Sequence, residues 1–214
     1  MIAFTLIACA TSPNVDLEES VRPPLVDTVE VVPVPLIIID APEPPADPLE
    51  LGAEALAPFK SALRETLMAG MQGGGPAVAL EICHTQAPAI AESSQGDVVA
   101  GPGEMAVGRG TMAPRNPSND ATPWMIDIIE HYASVPRAAA APVAVPIDDL
   151  NWAYAEPIFV EEPCLACHGE PSPEIQAMLN ERYPEDQATG YEVGDLRGIF
   201  WASGTLEPVI IPSP

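Results

Sequence analysis

The feature that most constrains this chain is a Cys-x-x-Cys-His motif running from Cys164 to His168. This spacing is typical of the covalent attachment site of a c-type haem. Two thiols three positions apart can add to the two vinyl groups of one porphyrin, and the imidazole that follows is placed to bind the iron. Pro163 and Pro171 bracket the motif, so we expect a loop of fixed geometry rather than a longer helix. The motif predicts a domain built around one covalently attached haem c, with His168 as an axial ligand.

Three other interpretations of the motif remain open. A zinc site would need a second ligand pair, and the chain offers only the scattered Cys83, His84 and His131. A thioredoxin-type redox pair would lie in a βαβ context and does not require the histidine. The third interpretation is a chance match, because short motifs carry that risk.

The charge balance restricts the kind of partner. The 214 residues include 8 Lys and Arg against 31 Asp and Glu, which gives a formal charge of −23. Such a surface argues against nucleic acid and anionic lipid headgroups as direct partners. It is compatible with a basic redox partner, or it serves only to keep an exported protein soluble.

No catalytic constellation is visible, so we do not expect an enzyme. The sequence shows no acid/base dyad and no nucleophile triad. The glycine run Gly73 to Gly75 lacks the Lys and Ser/Thr of a phosphate loop, and it is interpreted as a turn.

The amino-terminal segment resembles an export signal. Residues 1–8 are apolar, and Leu6 to Cys9 resembles the lipobox of bacterial lipoproteins. No basic residue precedes the run, and its length is at the short end of the roughly 7–15 residues of a signal core. A bilayer span takes about 20 apolar residues. We therefore expect a periplasmic or otherwise extracytoplasmic protein tethered to a membrane by lipid on Cys9, with a plain secretory leader as the alternative.

Residues 9–52 are rich in proline and acidic side chains. Proline at this density prevents continuous helix or ladder pairing and favours extended chain. The segment predicts a tether, within which the apolar run Val29 to Ile39 could lie along the domain or a partner as an edge strand. The globular domain is expected over residues 53–214.

Within that domain the pattern mixes helices with strands. Apolar residues at helical spacing from Leu56 to Met71 predict a first helix that ends at Gly73. The further expected helices are Thr85 to Ser94, Pro123 to Tyr132 and Ser172 to Tyr183, and the expected strands are Ala77 to Cys83, Ala106 to Met112, Trp152 to Val160, Arg197 to Ser203 and Leu206 to Ile211. Arg137 to Pro146 is low-complexity Ala/Pro and is expected to be exposed. Such a mixture indicates an α+β fold.

Three segments together resemble one known family. They are Glu81 to Cys83 after a Gly-Gly-Pro turn, Arg115 to Asn119 after a Val-Gly-Arg strand, and the haem motif followed by Tyr183 to Tyr191 and Gly194 to Gly198. In these segments the chain resembles the bacterial family of single-haem c-type proteins with a PAS-like α/β domain, known from cyanobacteria. The resemblance covers about Ala53 to Ser203. It implies a PAS-like antiparallel sheet flanked by helices, one covalent haem, and a His/Cys axial pair in which the cysteine is Cys83.

From the residues alone, the sixth iron ligand stays open among Cys83, His84, His131 and seven methionines. Met68, Met71, Met105 and Met112 are each also explained as core side chains. With the resemblance, Cys83 is the preferred ligand. His84 follows it on the expected strand, so its side chain should point to the opposite face.

A thiolate from Cys83 would stabilise ferric iron and lower the midpoint potential relative to a His/Met haem. Reduction would weaken that bond and leave room for a diatomic gas, which is the behaviour of a sensor. Arg115 and Arg197 lie in the matched segments. They are candidates to bind a haem propionate, or to form ion pairs with Asp186 or Asp195.

The function expected from the sequence is an exported single-haem c-type cytochrome in low-potential electron transfer or in redox or gas sensing. Its partner would be a redox protein, for example one in a membrane complex. The alternative is an accessory structural subunit of a membrane or cell-surface complex, docked through the amino-terminal arm. A haem peroxidase is a third interpretation, but it would need an open distal site, against which a six-coordinate iron argues.

Overall fold

The computed structural model describes residues 47–94 and 105–205. The expected leader, Cys9, the Pro-rich arm up to residue 46 and the strand expected at Leu206 to Ile211 lie outside the described residues. No helix within the described ranges is both long and apolar enough to cross a membrane.

Five helices, four strands and three short 3-10 turns make up the described part. The helices are α1 (Pro48–Gly74), α2 (Pro76–Ser93), α3 (Pro123–Ser134), α4 (Leu165–His168) and α5 (Pro173–Arg182). The strands are β1 (Ala106–Gly110), β2 (Val143–Pro146), β3 (Asn151–Phe159) and β4 (Leu196–Thr205). The 3-10 turns are Pro117–Asn119, Arg137–Ala139 and Glu162–Cys164.

The four strands form one antiparallel sheet in the order β1-β4-β3-β2. Helices flank this sheet, so the predicted α+β fold with an antiparallel sheet is confirmed. The expected strands at Ala106, Trp152 and Arg197 and the expected helices at Pro123 and Ser172 are present with small shifts at their ends.

Alternation along the strands divides the core between the two sheet faces. On one face, Leu56 and Phe59 of α1 pack against Val107, Tyr154 and Ala202. On the other face, the buried side of α3 packs against Ala155 and Ile199. A third, smaller cluster joins Leu80 of α2 to Ile175 and Leu179 of α5. This third cluster brings α2 and α5 together beside the Cys-x-x-Cys-His segment.

The first two helices form a hairpin whose ends follow from local chemistry. Asp47 caps α1 by accepting a hydrogen bond from the backbone N–H of Glu50 at 3.0 Å, and Pro48 occupies the first turn, where its missing N–H costs nothing. Gly75 ends the helix with φ at +78°, a conformation that glycine adopts without strain. The helix begins at Pro48, so it includes residues 48–52 that were assigned to the tether.

The prediction of a strand from Ala77 to Cys83 is wrong, because these residues belong to α2. An apolar run of seven residues does not by itself distinguish a buried strand from a helix. The distinguishing signal is local: Pro76 directly follows the left-handed Gly75, which is the usual arrangement where one helix ends and the next begins. Cys83 is therefore a helical residue, and the argument that placed His84 on the opposite face of a strand no longer applies.

Two other expectations are corrected. Arg137 to Pro146 was expected to be exposed. Residues 137–139, 141, 142 and 146 are exposed, but residues 143–146 form β2, which pairs with β3 and is partly buried. The haem motif was expected as a loop, but it forms a 3-10 turn that continues into α4. The prolines at 163 and 171 bracket this short helical segment instead of preventing it.

Candidate functional site

The helical conformation of the motif gathers its three reactive side chains. Cys167 lies three residues and His168 four residues after Cys164, and residues at these spacings share one side of a helix. The thiols of Cys83, Cys164 and Cys167 are all free, and each is partly buried. The segment therefore offers two unlinked thiols and one imidazole on a common side, which is the donor set that covalent haem attachment requires.

The His168 ring is held by a backbone carbonyl. Its Nδ1 lies 2.8 Å from the carbonyl oxygen of Ala188, and since a carbonyl can only accept, Nδ1 carries the hydrogen and donates it. Burial, followed by repulsion from Arg115 and Arg197, lowers the pKa of His168 to about 4. The imidazole is therefore neutral at physiological pH, with its lone pair on Nε2.

Arg115 fixes the segment that carries the Ala188 carbonyl. Its guanidinium forms an ion pair with Asp186 at 3.2 Å and donates to the carbonyls of Cys167 at 2.5 Å and Ala188 at 3.1 Å. Asp186 in turn accepts from the backbone N–H of Ala188 at 2.8 Å. The side chains of Arg115 and Asp186 are only 13% and 8% exposed. This ion pair is one of the two uses predicted for Arg115, and it connects the motif directly to the loop that orients His168.

Cys83 lies on the side of α2 that faces the motif. Leu80, one helical turn earlier, packs with Leu179 of α5, and Cys167 contacts the same cluster. The helix also contacts α4 directly. Two further contacts fix α2 against the end of α5: Arg182 bonds the Glu81 carboxylate at 3.0 Å, and the His84 and Tyr183 rings meet edge to face at 5.0 Å.

The charges around Cys83 oppose the effect of its burial. Burial raises the pKa of the Cys83 thiol, while Arg109 and Arg115 act to lower it. Burial likewise raises the pKa of Cys167, with Arg115 lowering it and the Cys83 and Cys164 thiols raising it further. Cys83 and Cys167 lie on two helices that contact each other, and Cys167 packs beside Leu80 of α2, so the structure brings these two predicted residues close together.

Arg197 lies on the histidine side of the same site. It contacts the Tyr191 ring face at 5.4 Å, and Tyr191 in turn meets the His168 ring edge to face at 6.3 Å. Its Nη1 donates to Thr111 Oγ1 at 2.8 Å. Arg197 forms no ion pair with Asp186 or Asp195 in the described part of the chain, so the ion-pair alternative holds for Arg115 only.

Several other candidates lie elsewhere. His131 is exposed on α3, which packs on the opposite face of the sheet from α1. Met105 is buried in the core as expected, but Met68 and Met112 are 44% and 53% exposed, so the core interpretation is wrong for these two. Arg109 and Tyr191 had no role predicted from the sequence. Both lie in the matched segments, but no motif spacing connects them to the cysteines.

Taken together, these features define an α+β protein with a Cys-x-x-Cys-His site. Its histidine is fixed by a backbone carbonyl, and the helix that contacts α4 bears a third cysteine. Residues 24–203 match the model of the Tll0287-like family, so the chain belongs to that family. The match begins within the Pro-rich segment, earlier than the resemblance noted from Ala53.

One solved structure is similar to this chain. It is the crystal structure of the cyanobacterial heme-protein Tll0287, with 24% sequence identity and a TM-score of 0.51. The similarity covers 78% of this chain and 100% of that one. At this identity the likeness supports the fold alone. No curated protein matches this chain.

Proposed function

We propose that this protein is an exported single-haem c-type cytochrome with a PAS-like domain, acting in low-potential electron transfer or in redox or gas sensing rather than as an enzyme. Cys164 and Cys167 would attach the haem, and His168 and Cys83 would bind its iron. The similar structure is that of a heme-protein, which supports the cofactor class. When bound, haem supplies a one-electron redox couple and an iron that accepts two axial ligands.

The observation that carries this proposal is the hydrogen bond from His168 Nδ1 to the Ala188 carbonyl. A histidine that ligates a metal commonly donates its other ring N–H to a backbone carbonyl or carboxylate, which fixes the tautomer and the ring orientation. Here that bond leaves Nε2 available, on the same side of the helix as two free thiols. The residues present therefore fit the attachment of a c-type haem.

The position of Cys83 supports its proposed role as second axial ligand. It lies on a helix that contacts α4, and its thiol is coupled to Cys167. A thiolate at this position would favour ferric iron, because its negative charge stabilises the higher oxidation state. Arg109 and Arg115 would partly balance that negative charge. This combination would favour a low midpoint potential of the bound haem.

Export and lipid anchoring belong to the same proposal. Haem attachment to this kind of motif normally takes place outside the cytoplasm, and Leu6 to Cys9 resembles a lipobox. We therefore place the protein outside the cytoplasm, tethered through Cys9, with a redox protein as its partner. Mass spectrometry of the amino-terminal peptide after export tests this point: a diacylated Cys9 is the expected result, and an unmodified thiol there would refute the lipid anchor.

Covalent attachment is tested by producing the full chain in a host with cytochrome c maturation machinery. The intact mass of the denatured protein should increase by one haem, and the double variant Cys164→Ala/Cys167→Ala should lose that increase. Cys83→Ala is the matched control, since it removes a cysteine of the same site that forms no thioether in this proposal. Wild-type protein that matures without added mass would contradict the proposed function.

A further inference from the structure

Three of the eight cationic residues of this acidic chain lie together at one end of the β1–β4 pair. Arg109 is on β1 and pairs in register with Phe200 of β4. Arg197 is near the start of β4, and its Nη1 bonds Thr111, two residues after Arg109. Arg115 follows in the next loop. The electrostatic coupling of Arg197 to both Arg109 and Arg115 supports this grouping.

The three guanidinium groups differ in how far their hydrogen-bond donors are used. Arg115 is engaged with Asp186 and with the carbonyls of Cys167 and Ala188. Arg197 bonds Thr111, but its Nε is buried and has no hydrogen-bond partner. Arg109 makes no hydrogen bond or ion pair with any residue in the described ranges. Two of the three arginines therefore have unused donors.

Arg109 faces the candidate site rather than the opposite side of the sheet. Arg109 lies two residues after Val107 on β1, so the two side chains are on the same face of the sheet. Val107 packs in the core beneath α1. Ile90, two helical turns after Cys83 on α2, packs against that same cluster. Arg109 is partly buried on the face against which the end of α2 packs, and Cys83 and Tyr183 are the groups with which its charge interacts.

The charge of this cluster is unbalanced. Three guanidinium groups less the one carboxylate of Asp186 leave a formal charge of two positive units. Arginine does not deprotonate in proteins, and a partly buried cation without a partner is costly. A guanidinium with free N–H groups is suited to bind a carboxylate, frequently through two parallel hydrogen bonds. The complement to this cluster is therefore an anion, and a pair of carboxylates fits its charge.

We propose that Arg109 and Arg197 bind the carboxylate groups of the haem, whereas Arg115 acts as a positioning residue that fixes the Ala188 carbonyl for His168. This inference rests on the proposed function and adds to it the groups that recognise the acidic edge of the porphyrin. A free carboxylate or oxyanion from solution has the same chemistry, so the test must separate it from haem.

The test uses the full chain carrying Cys164→Ala/Cys167→Ala, so that porphyrin binds reversibly. Soret absorbance titrations give the Kd for ferric haem and for its dimethyl ester, in which both carboxylates are masked. Arg109→Gln and Arg197→Gln should each weaken haem binding by roughly ten- to hundredfold, the range expected when a charged hydrogen bond is lost. Binding of the ester should change by less than about threefold. Arg64→Gln, at an exposed position on α1, is the matched control and should leave both Kd values unchanged.

The thermal stability of the unloaded protein separates this role from a structural one. Since Arg109 has no partner in the described part of the chain, Arg109→Gln should not lower the Tm of the unloaded protein. A loss of several degrees would show that Arg109 stabilises the fold and would overturn the inference. Arg197→Lys retains a charge but not the Nε donor, and it should also weaken haem binding selectively, which keeps the test available if Arg197→Gln does not fold.

The remaining outcomes are distinct. The carboxylate assignment would be overturned if the protein with all three arginines intact bound haem and its ester with equal Kd values. It would also be overturned if the arginine variants lost affinity equally for haem and for the ester. If a small anion occupies the cluster instead, inorganic phosphate should raise the Tm, Arg109→Gln should abolish that rise, and haem and its ester should bind equally. That result would also overturn the carboxylate assignment. His168→Ala tests the proposed function itself. If this variant binds both haem and the ester as the wild type does, the proposed function fails.

Discussion

At the scale of single residues, the orientation of His168 depends on the ion pair between Arg115 and Asp186. The ring donates to the Ala188 carbonyl, and that carbonyl lies in a loop held by Arg115 from one side and by Asp186 through the Ala188 N–H. Because both side chains are nearly buried, loss of one partner leaves an uncompensated charge. Such a loss costs more free energy than the intact pair contributes.

Arg115→Lys keeps the charge but not the planar group that reaches Asp186 and two carbonyls at once. It should lower the free energy of unfolding by about 2–4 kcal/mol, because the carbonyls of Cys167 and Ala188 lose their donors. Urea unfolding of the unloaded protein measures this change. Arg137→Lys is the matched control, because the Arg137–Glu161 pair is 48% and 57% exposed and exposed pairs contribute about 0–1 kcal/mol. Equal effects of the two substitutions would show that the buried ion pair has no special role.

The residues of the site were predictable to different degrees. Cys164, Cys167 and His168 are adjacent in the sequence, and their spacing states the chemistry directly. The Arg115–Asp186 pair could be proposed as one alternative, but 71 residues separate its members, and the sequence does not show that they meet. Arg109 lies in the matched Val-Gly-Arg strand, but nothing in the sequence gave it a role, because a cation in a short strand is ordinarily exposed. Its place in the site follows from the packing of the end of α2 against the same face of the sheet.

At the scale of elements, the α1–α2 hairpin determines where Cys83 lies. A Cβ on Gly70 of α1 would stand 2.6 Å from the Cα of Ala79 in α2, so the helices approach each other closely at this point. This approach, together with the packing of Leu80 on α5, directs the Cys83 side of α2 toward the motif. A strand at residues 77–83 would have alternated its side chains and placed Cys83 differently.

Gly70→Ala should destabilise the protein by about 1–3 kcal/mol, because the added methyl meets backbone that cannot easily move. Gly73→Ala, three residues further along α1, is the control: a Cβ there has nothing within 4 Å, and alanine should stabilise the helix by about 0.5–1 kcal/mol. Chemical denaturation of both variants provides the comparison. If Gly70→Ala were as stable as Gly73→Ala, the two helices could not be packed as described.

A second element contact joins α3 to β3 through Tyr132. Its hydroxyl lies 2.9 Å from the Ala155 carbonyl and 3.0 Å from the Ala141 carbonyl, and burial raises its pKa to about 12. Tyr132→Phe should cost about 1 kcal/mol at neutral pH. In the wild type, the stability that comes from keeping Tyr132 neutral is complete below about pH 10 and is lost as the pH rises toward about 12.

The phenylalanine variant lacks this titration, so its unfolding free energy should fall less steeply with pH over that interval. Thermal or urea unfolding at a series of alkaline pH values measures both slopes. Parallel slopes in the two proteins would contradict the assignment of a raised pKa to Tyr132.

The elements themselves were mostly predictable where periodicity was long. The helical spacing from Leu56 to Met71 and the apolar strand from Trp152 identified α1 and β3. The start of α2 was misassigned because a short apolar run satisfies both periods, and β2 was missed because residues 143–146 gain their structure from pairing with β3 rather than from local propensity.

At the scale of the whole molecule, the formal charge of −23 should control how quickly other molecules exchange electrons with it. A strongly acidic surface attracts cations and repels anions, and salt screens both effects. In the loaded protein, the rate of electron exchange with a cationic reagent should fall several-fold as ionic strength rises from about 0.01 to about 0.5 M. Exchange with an anionic reagent should accelerate over the same range.

Stopped-flow mixing of the loaded protein with each reagent measures these rates, with an uncharged reagent as the control. If all three reagents showed the same weak salt dependence, the acidic surface would not steer association, and the charge would serve solubility alone. A preference for cations would support a basic redox partner over docking through the amino-terminal arm.

We propose that one iron is held between His168 and Cys83. The most direct test is the electron paramagnetic resonance spectrum of the ferric loaded protein, recorded for the wild type, for Cys83→Ala and for His84→Ala as a neighbouring control. We predict a low-spin thiolate-type signal in the wild type and in His84→Ala, and its loss in Cys83→Ala. An unchanged spectrum in Cys83→Ala would contradict the account, because it would remove Cys83 from the iron and make an ordinary electron carrier with another sixth ligand the better description.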